Sequence, residues 1–367
     1  MSPLFGEILH KRLLWLLALV PVVLVAHKLK PDAHTMLFVL SVLAIIPLAA
    51  LMSHATESVA SKTGDGVGGL LNATFGNMTE LIIALTALKA GEYMLVKATI
   101  AGAIVTNTLF MLGMSFLLGG LKHHVQEYNK LNARLLSGML FVATVALLMP
   151  SAIGKTNTEA SGGVIQPLSV GLAILLIVSY GLSLLFSLKT HRQEFVSVDH
   201  GEDEAKTETP WPMGLALTAL LGVTVLVALV SEIFVESVQV AAEDFGMTPA
   251  FVGFIIVALV GAAAEMVAAF SAARKNHLDL SVGIALGSAS QIALFVAPVL
   301  VLASYFIGPS PMDLQFWPGA VVMILIAALI ANIVTSNGRS AWFVGVLLLL
   351  LYLIYAMTLY VLPPGSG

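Results

Sequence analysis

Apolar stretches long enough to cross a membrane recur along the whole chain and leave little room for any other kind of fold. Hydropathy marks eleven, near 13–27, 36–61, 67–89, 93–120, 132–150, 164–188, 211–236, 248–273, 279–305, 316–336 and 340–362. A bilayer core takes about 20 helical residues, whereas barrel strands of about 10 alternating residues would interrupt such runs. With 58% hydrophobic and 10% charged residues and a mean hydropathy of +0.97, no soluble core could hide so much apolar side chain. The expected class is an all-α polytopic membrane protein with about eleven transmembrane helices.

Two of these runs carry a carboxylate where none is cheap. Gly64 to Gly91 holds Asn72, Asn77, Thr79 and Glu80, with Leu81-Ile82-Ile83-Ala84-Leu85 directly after the charge. Val257 to Ala273 holds Glu265 as its only charge. An ionisable group at mid-bilayer costs about 3 kcal/mol or more and persists mainly for function. Gly76 lies four residues before Glu80 and Gly261 four before Glu265. Asn107 follows Glu80 by 27 residues, and Gln291 follows Glu265 by 26. The parallel spacing predicts an internal repeat around a cation site.

An odd number of spans per repeat makes the halves inverted. The expected organisation is residues 1–34 with span 1, a first five-helix repeat over 35–188, an acidic cytoplasmic linker over 189–210, and a second repeat over 211–367. Span 1 follows Lys11 and Arg12 as a signal peptide would, but Leu24-Val25-Ala26 is a poor cleavage site, which favours a retained helix. With the N-terminus inside, twelve Lys and Arg fall on the cytoplasmic side and five (Lys28, Lys30, Lys89, Lys97, Lys155) on the other. That bias puts the N-terminus in the cytoplasm and the C-terminus outside; the expected location is a prokaryotic cell (inner) membrane.

Several readings fall away. The net charge of −4 and the lack of a basic block offer nothing to nucleic acid, and the absence of cysteine excludes disulfides, thiolate metal sites and cysteine nucleophiles. Gly64-Asp65-Gly66-Val67-Gly68-Gly69 matches GxGxxG, but no strand precedes it and no βαβ unit surrounds it. The sequons at Asn72 and Asn77 lie inside an apolar span. An intramembrane enzyme fits poorly: there is no HExxH, no recurring Ser–His pair, and the central acids are glutamates. A passive channel would not need titratable groups at its narrowest point.

The remaining polar residues suit an ion path. Continuous helices would put Gly76, Asn77 and Glu80 on one face of span 3. Span 4 adds Asn107, and span 9 adds Ser288 and Gln291. Glu57, late in span 2, and Glu232, late in span 7, sit near opposite faces. They read either as interfacial carboxylates in headgroup water or as a gate or proton relay at each mouth. The linker's Glu202, Asp203 and Glu204 read as a solvated segment or as a patch that senses divalent cations. Two carboxylates in low dielectric cannot easily both ionise without a counter-charge, so a hard divalent cation and protons compete for them. That competition is the chemistry of an antiporter.

Asn72-Ala73-Thr74-Phe75-Gly76-Asn77-Met78-Thr79-Glu80-Leu81-Ile82, Lys89-Ala90-Gly91-Glu92-Tyr93 and Gly287-Ser288-Ala289-Ser290-Gln291-Ile292-Ala293-Leu294-Phe295-Val296 resemble the Ca²⁺/H⁺ exchangers of the cation/Ca²⁺ exchanger superfamily. The resemblance covers nearly the whole chain. It implies alternating-access exchange of Ca²⁺ for protons in a lipid bilayer, with no resident cofactor. It implies that Glu80 and Glu265 bind the cation, with Asn77, Asn107, Ser288 and Gln291 around them and Glu57 and Glu232 near the access paths. One departure stands out: Ala262 in Gly261-Ala262-Ala263-Ala264-Glu265 replaces the usual asparagine and removes an amide that would mirror Asn77. A Na⁺-coupled exchanger of the same superfamily, or one moving Mn²⁺ or Na⁺, is the alternative.

Overall fold

The computed structural model describes residues 12–63, 68, 70–71, 74–154, 163–190 and 210–361. Glu202, Asp203 and Glu204 lie outside the described residues, as does most of 189–210. The helices are α1 (Leu13–Leu29), α2 (His34–Ala60), α3 (Met78–Lys89), α4 (Tyr93–His123), α5 (Lys130–Gly154) and α6 (Ile165–Thr190). After the linker come α7 (Met213–Asp244), α8a (Pro249–Gly261), α8b (Ala263–Arg274), α9 (Leu278–Ala303), α10 (Pro318–Thr335) and α11 (Trp342–Val361). Among the described residues, eight are long and apolar enough to cross a membrane, and the bent pair α8a–α8b makes a ninth. α1 and α3 are shorter than that standard, so helix length alone does not yield eleven crossings.

Among the described residues, one small departure from an all-helical chain joins two loops. Val125–Glu127 (β1) pairs antiparallel with Arg339–Ala341 (β2), and Gln126 faces Ser340. Extended loop backbone must satisfy its polar groups somewhere, and here each loop serves the other.

Burial sorts the helices. α4 and α9 are the most enclosed, while α6, α7 and α11 leave most of their apolar surface facing outward. The sequence accounts for this: α4 and α9 carry Thr, Asn, Ser and Gly among apolar residues, whereas α11 has a leucine-rich exterior. Small residues allow close crossings at the centre. A Cβ added to Gly102 of α4 would fall 2.2 Å from the carbonyl oxygen of Phe254 in α8a.

The packing partners come in matched sets. α2 packs on α7 and α5 on α10; α4 meets α11 as α9 meets α6; α5 meets α9 as α10 meets α4; α3 meets α7 as α8b meets α2. Each of these contacts has a counterpart when helices 2–6 are exchanged for helices 7–11.

Candidate functional site

Both central glutamates sit just after a break in a helix. α8a and α8b meet at 58°, and the residue between them, Ala262, has φ −80° and ψ 5°. Asn77 occupies the same place ahead of α3, with φ −99° and ψ 27°. Gly76 and Asn77 are therefore turn residues, not part of one helical face with Glu80 as continuous helices would have it. Glu80 is in the first turn of α3 and Glu265 in the first turn of α8b. A carboxylate there benefits from the unpaired N–H groups and positive dipole end of the helix.

The breaks bring the halves together. The Glu80 side chain lies against Gly261, where an added Cβ would come within 2.8 Å of Glu80 Cγ. Glu265 and Ser288 line one cavity beside this contact. Around them runs one hydrogen-bond chain. Asn107 Nδ2 donates to Ser288 Oγ at 2.8 Å, Ser288 Oγ to Asn77 Oδ1 at 2.7 Å, and Asn77 Nδ2 to Gln291 Oε1 at 2.6 Å. All six residues expected around the cation thus gather at one locus.

Three buried oxygens there have no hydrogen-bond partner: Glu80 Oε1, Glu265 Oε2 and Asn107 Oδ1. Glu80 itself is only 3% exposed. Unpaired buried acceptors are costly, and a carboxylate far more so than an amide. A cation or protons would satisfy them. Among the described residues no group of three or more His, Cys, Asp or Glu is gathered, so a cation held here would rely on two carboxylates and neutral oxygens. That donor set suits a hard ion such as Ca²⁺.

A cavity of about 340 Å³ reaches this centre from one end of the bundle. Glu265, Ser288 and Gln291 line its inner part; Glu57, Asn132 and Asp279 line its outer part. Glu57 accepts from Ser53 Oγ at 3.2 Å. Glu232 lies elsewhere, paired with Lys89 at 3.1 Å, the two side chains 49% and 68% exposed. So exposed a pair contributes little to stability. Asp279, which is buried and accepts from the Asn129 amide at 3.2 Å, escaped the sequence reading. An acid in the first turn of a helix reads as ordinary capping chemistry.

Ala262 is fully buried at the break that mirrors Asn77. Ala262→Asn adds an amide at the break that mirrors Asn77 and, if a cation binds between Glu80 and Glu265, is expected to tighten Ca²⁺ binding about tenfold, near 1.4 kcal/mol. Calorimetric titration of the folded variant checks this; an unchanged affinity would mean that position 262 does not face the ion.

A sequence model described as sodium/calcium exchanger protein matches residues 33–189 and again residues 215–361. The chain is 43% identical over 359 residues to a Ca²⁺/H⁺ antiporter of Aphanothece halophytica, covering 95% of this chain and 96% of that one. It is 41% identical over 329 residues to the Ca²⁺/H⁺ antiporter ChaA of Bacillus subtilis, covering 89% and 92%. Among solved structures, native YfkE superposes with a TM-score of 0.81 at 38% identity, covering 95% of this chain and all of that one.

Proposed function

The chain belongs to the sodium/calcium exchanger protein family, and from that premise we propose that it exchanges Ca²⁺ for protons across a membrane by alternating access. The observation that carries this reading is the set of three unpaired buried oxygens on Glu80, Glu265 and Asn107. Two carboxylates balance a divalent cation; without it, protons are the available counter-charge. Asn77, Ser288 and Gln291 hold the surrounding amides and hydroxyl in register and offer further neutral oxygens.

We further read the chain as crossing the membrane eleven times, with α1 and the broken segment ending in α3 as crossings. Helices 2–6 and 7–11 form two inverted repeats, and no cofactor takes part. The twofold family match, with a boundary at the acidic linker, supports that division, as do the matched packing partners. Bacterial relatives at high identity favour a prokaryotic membrane. The positive-residue bias favours a cytoplasmic N-terminus, an outer C-terminus, and a cavity that opens to the cytoplasm.

Purified protein in liposomes with an imposed pH gradient should accumulate radiocalcium, and dissipating the gradient should stop it. Uptake that follows a Na⁺ gradient and ignores pH would overturn proton coupling. In the same reading Glu57 guards the cavity mouth and Glu232 the opposite one. Glu57→Gln should slow exchange about tenfold, near 1.4 kcal/mol in the barrier, while leaving equilibrium Ca²⁺ affinity unchanged. Single cysteines at 57 and 232 should react with an impermeant thiol reagent from opposite sides. Labelling of both from one side would sink the gate assignment.

A further inference from the structure

One face of α9 runs the length of the cavity. Asp279, Gly283, Gly287 and Gln291 follow each other at steps of four residues and all line it. Glycine weakens a helix interior relative to alanine, and the usual compensation is a neighbour too close for a Cβ. Gly102 of α4 has such a neighbour; Gly283 and Gly287 have none. Among the described residues, a Cβ added to either of them meets nothing within 4 Å. Their missing side chains leave room for something other than protein.

The matching lane in the other half differs. Stepping back from Asn107 as from Gln291 gives Ala103, Thr99 and Leu95, all buried. Where α9 has a carboxylate and two glycines, α4 has packed side chains. The open lane ends at Glu265, whose Oε2 is buried and unpaired, and begins at Asp279.

We propose that the Asp279–Gly283–Gly287 face of α9 is the passage by which a hydrated divalent cation reaches the central site. Asp279 concentrates cations at its entrance, and the two glycines set its width. The passage rests on the exchange reading above for what travels through it, but not for its accessibility.

The chain has no cysteine, so Gly283→Cys and Gly287→Cys each introduce one thiol into open space. Lys275→Cys, exposed at the same end but outside the cavity, serves as the control. Each variant is reconstituted and treated with an impermeant, positively charged thiosulfonate; labelling is read by intact mass and exchange by pH-driven radiocalcium uptake. Both glycine variants should label from the side that labels Lys275→Cys. Labelling should lower their own exchange rates at least about tenfold and leave Lys275→Cys unaffected. If position 283 and position 287 resist labelling in folded protein, or label without slowing exchange, the passage is wrong. Wild-type protein that moves no calcium while position 283 still labels would remove the exchange reading and retain the passage.

Discussion

Glu80→Gln and Glu265→Gln should each abolish exchange in protein that still folds. Glutamine keeps the volume and one oxygen, but it carries no charge and neither takes up nor releases a proton. With one carboxylate left, a divalent cation in this enclosed site retains an unbalanced positive charge. Breaking a buried ion pair by removing one partner typically costs about 3–5 kcal/mol. At about 1.4 kcal/mol per factor of ten, that is at least about a hundredfold loss of affinity. Folding should not suffer, because Glu80 Oε1 and Glu265 Oε2 have no protein partner to lose. Without Ca²⁺ the variants should therefore melt no lower than wild type. Ca²⁺ should raise the wild-type melting temperature by binding the native state, and that rise should vanish in both variants. Normal pH-driven radiocalcium uptake by either one would refute a role for the paired carboxylates.

Much of this centre was legible because charge in an apolar run is rare enough to mean something. Glu80 and Glu265 stood out by cost alone, and the near-equal spacings to Asn107 and Gln291 tied each to a second helix. The structure joins Asn107 and Gln291 through Ser288 and Asn77. The helix breaks were not legible. No proline lies near Ala262, and Gly261-Ala262-Ala263-Ala264 reads as good helix with one glycine. The bend belongs to packing between the halves, which no single helix encodes. For the same reason Gly76, Asn77 and Glu80 do not share one helical face: Gly76 and Asn77 are turn residues ahead of the helix that carries Glu80. Asp279 was missed because its burial depends on the loop around Asn129, more than a hundred residues away in sequence. The two-strand pair at Gln126 and Ser340 likewise depends on loops that meet only in the folded bundle.

Gly261→Ala is the smallest substitution that should disable the site without touching a charge. The added Cβ would fall 2.8 Å from Glu80 Cγ and 3.2 Å from both Cδ and Oε1. Contacts that short force something to move, and the Glu80 side chain is what they meet. Ca²⁺–oxygen distances lie within about 2.3–2.6 Å, so a carboxylate pushed aside by a few tenths of an ångström leaves the coordination shell. Ca²⁺ affinity should drop at least about tenfold, near 1.4 kcal/mol. Overpacking should also lower stability by roughly 1–3 kcal/mol, so affinity and melting temperature must be measured together. Gly138→Ala is the control: its added Cβ meets nothing within 4 Å, and alanine favours the helix by about 0.5–1 kcal/mol. That variant should bind and exchange like wild type and melt slightly higher. A folded Gly261→Ala protein with wild-type affinity and rate would mean that Glu80 does not hold the cation from its place against Gly261. The two halves would then meet at the breaks for packing alone, and the site would have to be sought along the Asn107–Ser288–Asn77–Gln291 chain instead.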